Sequence, residues 1–142
     1  MRPIVFAAML LMFPSANWAD EYDDIVNGCN FANAEFGSVA IQICIKDNQA
    51  ARAAVLQYPK EVKDIVARCA RGSEMGWSMV KLCIDKDIEA EAALANYGKE
   101  HDLSMEICRE EFGRRGAARI KACVDQAINA DSSRMEKRDP SR

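Results

Sequence analysis

Histidine is nearly absent from this 142-residue chain, His101 being the only one. Its six cysteines are never close together, since the nearest two have 13 or 14 residues between them. Zinc centres draw on Cys and His at short spacings such as C-x2-C, so this set does not supply one. The C-x-x-C-H haem attachment and the C-x-x-C redox motif are missing as well. So are G-x-S-x-G, H-E-x-x-H, the phosphate-binding loop and the dinucleotide fingerprint. No nucleophile, acid–base pair or metal set stands at a mechanistic spacing, and the sequence reads as non-enzymatic with no cofactor. Positive charge is not in excess either: 19 Lys+Arg against 22 Asp+Glu give a net charge of −3. That balance lacks the basic footprint of a nucleic-acid binder and gives no attraction to anionic membrane surfaces. Apolar runs are short, the longest being Ile4–Phe13, about half of the roughly 20 residues needed to span a bilayer.

That one run has a specific context. Arg2 precedes it, and Pro14, Ser15 and Asn17 follow it before the small residue Ala19. A charged start, an apolar middle and a small residue at the cut are the layout of a secretory leader. Residues 1–19 are therefore expected to be removed and the protein exported, to the periplasm or the extracellular space. Removal takes Arg2 away and makes the remaining chain slightly more acidic. No membrane span remains after it. All six cysteines (Cys29, Cys44, Cys69, Cys83, Cys108 and Cys123) lie beyond the leader. An even set in an exported chain of this size reads as a disulfide framework.

The cysteine positions also organise the chain. Cys29, Cys69 and Cys108 are 40 and 39 residues apart, and Cys44, Cys83 and Cys123 are 39 and 40 apart. Flanking residues repeat with them. "DIVNGC" (24–29) returns as "DIVARC" (64–69) and, more weakly, as "LSMEIC" (103–108). "GSVAIQICIKDN", "GWSMVKLCIDKD" and "GAARIKACVDQA" each place a glycine seven residues before the second cysteine, at Gly37, Gly76 and Gly116. Ala51, Ala90 and Ala130 stand seven residues beyond it, and "Y-x-KE" closes the first two copies at Tyr58 and Tyr97. A fixed period in this range marks stacked supersecondary units, so the chain is an internal triplication.

Each unit reads as a helical hairpin. In the second copy Cys83 and Ile84 stand three and four residues after Val80, and Ile88, Ala92 and Ala95 follow Ile84 at steps of four, four and three, the helical period. Helices are expected over about 21–35, 38–57, 60–73, 77–96, 100–113 and 116–131, with the in-phase glycines at the turns. The fold class is thus all-α: three tandem disulfide-stapled hairpins of about 39 residues, stacked as a short α-solenoid or six-helix array. One domain, 20–131, holds repeats at about 21–58, 60–97 and 100–131. The third copy has "SSRMEK" where the others have "AAVLQY" and "AALANY", as suits a terminal repeat facing water. Residues 132–142 then lose the pattern and are expected to form a disordered tail.

Two connectivities fit the spacing. Cys29–Cys44, Cys69–Cys83 and Cys108–Cys123 lie symmetrically about the turn glycines on opposite limbs of a hairpin, use all six cysteines and repeat identically. The rival pairs Cys44 with Cys69 and Cys83 with Cys108 about Tyr58–Pro59 and Tyr97–Gly98, and strands Cys29 and Cys123. Pairing within repeats is the expectation, each bridge contributing about 3 kcal/mol on a chain-entropy argument.

Other polar residues read as surface. Lys81 with Asp85, and Lys121 with Asp125, are four apart, as ordinary helix-surface pairs are; the first copy has Gln42 and Lys46 there. Tyr58 and Tyr97 recur, which points to packing between repeats. Trp77 follows the central turn glycine where the sisters have Ser38 and Ala117. It either caps the hairpin core or is a partner-contact anchor.

The unit "IV-x2-C … GW-x2-VK-x-C-[IV]-D-x-D-x-x-A" resembles small uncharacterised exported bacterial proteins with cysteine-containing helical-hairpin repeats. The resemblance spans about residues 24–130 and implies no activity. The architecture is similar to tetratricopeptide and Sel1-type repeats, although neither family's motif is present. The expected function is a protein- or peptide-interaction module of the cell envelope, its partner another envelope or secreted protein. The alternative is a carrier holding a small apolar ligand between hairpins, lined by Ile41, Val80, Ile84 and Leu94.

Overall fold

The computed structural model describes the backbone of residues 18–71 and 76–138 and the side chains of residues 22–71 and 76–133. Six α-helices make up the fold: α1 Trp18–Asn33, α2 Ser38–Val55, α3 Lys63–Ala70, α4 Trp77–Leu94, α5 Asp102–Phe112 and α6 Ala117–Arg138. There is no strand among the described residues. The helices pair as three hairpins, α1–α2, α3–α4 and α5–α6, as the triplicated sequence requires.

Local chemistry sets the turns. Single 3₁₀ turns at Ala34–Phe36 and Gly113–Arg115 tighten the chain after α1 and α5. Each turn glycine then precedes a second helix with φ of 84° (Gly37), 86° (Gly76) and 98° (Gly116), and with ψ of 177°, 172° and 168°. A Cβ is strained in that region of backbone space, so glycine is required there. The connections between hairpins use another device. Pro59 (φ −63°) and Gly98 (φ −70°) occupy matching places before the 3₁₀ turns Lys60–Val62 and Lys99–His101, which lead into α3 and α5. Gly98 already holds a proline-like backbone, and its sister site is a proline. Gly98→Pro is therefore expected to stabilise the protein by about 0.5–1 kcal/mol through the unfolded state. The Glu100 carboxylate, which now fills the space beside Gly98, must swing out to make room. A denaturation midpoint unchanged or lowered by the substitution would refute this.

The second helices are the long ones, and α2 and α4 each do two jobs. The N-terminal half lies against the first helix of its own hairpin, while the C-terminal half crosses the next hairpin. Thus α4 packs against α3, α2 and α6. Asn48, midway along α2, reaches the first turn of α4 at Ser78, and Asp87, midway along α4, reaches the first turn of α6 at Ala118. The array is a staggered stack rather than a row of aligned hairpins. Its core sits at the two repeat junctions. Val55 of α2 joins Ile65, Cys69, Val80 and Ile84 of the second hairpin. Ala90 and Leu94 of α4 join Met105, Cys108, Ala117 and Val124 of the third. Each hairpin after the first is therefore covered by its predecessor, the nearest-neighbour coupling of repeat proteins.

Two boundaries differ from the sequence reading. Helix α6 runs on to Arg138, so residues 132–138, expected in a tail, continue the helix. No glycine or proline interrupts it before Pro140, and polar residues end packing without ending a helix. Residues 139–142, and residues 1–17 of the expected leader, lie outside the described residues. Trp18 and Ala19 of that leader open α1. No helix among the described residues is long and apolar enough to cross a membrane.

Candidate functional site

All six cysteines are paired within repeats. Cys29–Cys44, Cys69–Cys83 and Cys108–Cys123 bring Cα atoms to 5.7, 5.8 and 5.8 Å. The rival scheme across Tyr58–Pro59 does not occur, because Cys44 faces its own first helix while the chain beyond it leaves to cover the next hairpin. Three intramolecular bridges fit an oxidising compartment.

The polar chemistry of the chain gathers at the two repeat junctions, in matching form. Asn48 and Asp87 both stand four residues after the second cysteine of their copy. The Asn48 Oδ1 accepts from the Ser78 backbone N–H at 3.1 Å, and its Nδ2 donates to the Cys44 carbonyl at 3.0 Å. The Asp87 Oδ1 accepts from the Ala118 N–H at 2.9 Å. Its other oxygen takes the Arg68 guanidinium, Nε at 3.2 Å and Nη2 closer. The glycine before each second helix leaves that helix without a capping side chain of its own. The preceding repeat supplies the cap from outside, satisfying an otherwise orphaned N–H. A Cβ on Gly76 would stand 2.6 Å from the Asn48 Oδ1, and one on Gly116 would strike the Asp87 carboxylate. Those glycines thus serve both the turn and the cap.

The second shared feature joins tyrosine to the next repeat. The Tyr58 hydroxyl donates to the Asp85 carboxylate, which also holds Lys81 Nζ at 2.6 Å. The Tyr97 hydroxyl donates to Asp125, which holds Lys121 Nζ at 2.6 Å. These Lys–Asp pairs, read from the sequence as ordinary surface pairs, are receivers for the tyrosine of the preceding hairpin. In the first copy Gln42 and Lys46 stand in their place, and among the described residues no tyrosine of another hairpin reaches them. Tyr58 and Tyr97 pack between repeats, as their recurrence implied.

This arrangement sets a pH dependence. Partial burial, reinforced by the Asp85 hydrogen bond and charge, pushes the Tyr58 hydroxyl up to about 12. The Asp125 hydrogen bond, then burial, raises Tyr97. Lys81 first and Tyr58 second hold Asp85 below the ordinary 3.8, and Lys121 and Tyr97 do the same for Asp125. A tyrosine raised in the folded state adds stability that is full below its unfolded value of 10.0 and is lost as pH climbs from there to about 12. A depressed carboxylate adds stability that is present above 3.8 and is lost as pH falls below it. Tyr58→Phe is expected to cost about 1 kcal/mol near neutral pH, after allowance for solvent screening. The gap between wild type and variant should close between pH 10 and 12. A gap independent of pH there would refute the link.

Trp77 is half-buried and packs against the central core cluster, with the Arg52 guanidinium 5.9 Å from its ring centroid. It occupies the core-capping place of its two sequence readings. His101 sits edge-on to Tyr97, ring centroids 6.1 Å apart. The four residues expected to line a shared cavity are dispersed: Val80 and Ile84 belong to one cluster, Leu94 to the other, and Ile41 is half-exposed on the first hairpin. Cys69, Cys83 and Asp87 bring three donor atoms together. The two sulfurs are bonded to each other, though, and the carboxylate is committed to Arg68 and Ala118, so this set does not fit a metal.

Asn48, Arg68 and Asp87 were not singled out by the sequence reading. A signal for the caps existed: one polar residue at a fixed place after the second cysteine in copies one and two, replaced by Ala127 in copy three. No family model, no curated protein and no solved structure matches this chain.

Proposed function

We propose that this is an exported, non-enzymatic interaction module of the periplasm or extracellular space, which binds another envelope or secreted protein through its first hairpin. The observation that carries this reading is where large apolar side chains are left in water. Among the described residues Tyr22, Phe31, Phe36, Val39, Ile43 and Leu56 of that hairpin are exposed, Phe31 to 91%, against Met79 and Leu82 on the second hairpin and Leu103 and Ile107 on the third. Apolar exposure concentrated on one hairpin of a small exported protein suits a partner surface. The bridge between Cys29 and Cys44 holds the surface in one shape, so little ordering opposes association.

The test is photo-crosslinking in exporting cells, with a photoreactive residue at Phe31 or, as control, at Glu110. The two positions are equivalent, each two residues past the first cysteine of its copy, and both are exposed. A discrete adduct with an envelope or secreted protein is expected from Phe31 and not from Glu110. Absence of any adduct from Phe31, Phe36 and Val39 alike would overturn the reading.

A further inference from the structure

We infer that the first hairpin receives a single helix from a different protein, carrying the pattern [Asn/Asp]-x2-Ala-x3-[Val/Leu]-x2-[Asp/Glu]. The inference rests on the interaction reading above and identifies the partner's binding element.

The chain itself displays the kind of helix that seats on such a hairpin, twice. Asn48, Ala51, Val55 and Tyr58 form one donor, and Asp87, Ala90, Leu94 and Tyr97 the other, the last three falling three, seven and ten residues after the first. In each the polar residue caps the next second helix. The apolar residues are buried at the junction, and the tyrosine reaches an aspartate.

The first hairpin has the same receiving parts, and among the described residues none of these is in place. A Cβ built on Gly37 meets no heavy atom within 4 Å, where the cap oxygens crowd Gly76 and Gly116. Among the described residues no side chain reaches the Val39 N–H, the counterpart of Ser78 and Ala118. Ile45 is half-exposed, whereas its counterparts Ile84 and Val124 in the covered hairpins are both 0% exposed. One receiving part has changed. Gln42 and the exposed Lys46 replace the lysine and aspartate that hold the tyrosine hydroxyl. An ammonium in the aspartate's place calls for a carboxylate in the tyrosine's place, which fixes the acidic residue of the pattern.

The occupant does not come from this chain. The donor pattern occurs in its sequence only twice, and both copies are engaged. The third copy reads Ala127, Ala130, Arg134 and Lys137. It offers no cap, puts a cation at the apolar place, and would bring a lysine towards Lys46 of a second molecule. Residues 1–16 contain neither Asn nor Asp.

The probe is a hydrocarbon-stapled peptide of sequence Asp85–Gly98, helical by circular dichroism, in its native form and with Tyr97→Glu. Binding to the oxidised full chain is followed by fluorescence anisotropy. The Tyr97→Glu peptide should bind about tenfold more tightly than the native one. Gln42→Lys with Lys46→Asp in the protein should reverse that order, and Ile45→Arg should abolish binding of both. The exchange of Gln42 and Lys46 alters exposed side chains only, so it remains readable if Ile45→Arg fails to fold. Equal affinities, no binding, or binding only after removal of residues 1–17 would overturn the inference. So would self-association that Ile45→Arg abolishes, since a second copy would then be the occupant. A partner crosslinked at Phe31 with no peptide binding would sink this inference and leave the interaction reading standing.

Discussion

Asp87→Ala is expected to lower the unfolding free energy by about 3 kcal/mol, because one buried carboxylate closes the junction between the second and third repeats. Asp87 is 3% exposed. Its removal leaves the Ala118 N–H without an acceptor at the start of α6 and leaves Arg68 without a counter-charge. The Arg68 side chain keeps 24% of its exposure, so water recovers part of the second loss, and the estimate stays at the low end for a broken ion pair. Asp87→Asn should cost only about 1 kcal/mol, since a carboxamide oxygen can still cap α6 just as Asn48 caps α4. Denaturant unfolding of the two variants separates the roles. Equal losses would mean that the cap contributes nothing and that the charge alone matters. A double-mutant cycle with Arg68→Ala then isolates the ion pair.

Replacing Cys69 and Cys83 together with alanine is expected to cost about 3–4 kcal/mol, the larger part from the loop-closure entropy regained by the unfolded chain. The central bridge should matter more than Cys29–Cys44. Helix α3 has only eight residues, too few to persist without tertiary support. It contributes Ile65 and Cys69 to the central cluster. Losing α3 would uncover Val80 and Ile84, and α4 is the one helix that packs against both α2 and α6. Amide exchange in α3 should therefore rise towards the global rate while α5, held by Cys108–Cys123, stays protected longer. A loss below about 1 kcal/mol with α3 protection unchanged would show that packing alone holds the hairpin.

The Cys–Gly register made the hairpins legible. A glycine seven residues before each second cysteine, with the first cysteine a similar distance upstream, places the two sulfurs opposite each other on antiparallel limbs. The bridges formed accordingly. Function-bearing detail was less legible. "CIDKD" reads as a cysteine followed by surface charges, yet Asp87 is among the most buried residues and Asp85 is shared with a tyrosine 27 residues away. Helical period alone does not separate them. Asp87 falls two residues past Asp85, about 200° further around the helix, and which of those directions meets the next repeat depends on the stagger.

The sequence by itself determined the triplication, the helical hairpins and the polar end of the third copy, because each follows from local period and turn geometry; it left two bridge pairings open, and the structure has the one within repeats. Only the tertiary structure decided that α2 and α4 each overlap the following hairpin from about their midpoints onward. That overlap sets which polar residues become caps and tyrosine receivers. Among the described residues it also leaves no helix of another repeat upon the first hairpin, since covering a face is a relation between repeats and no single repeat encodes its own neighbour.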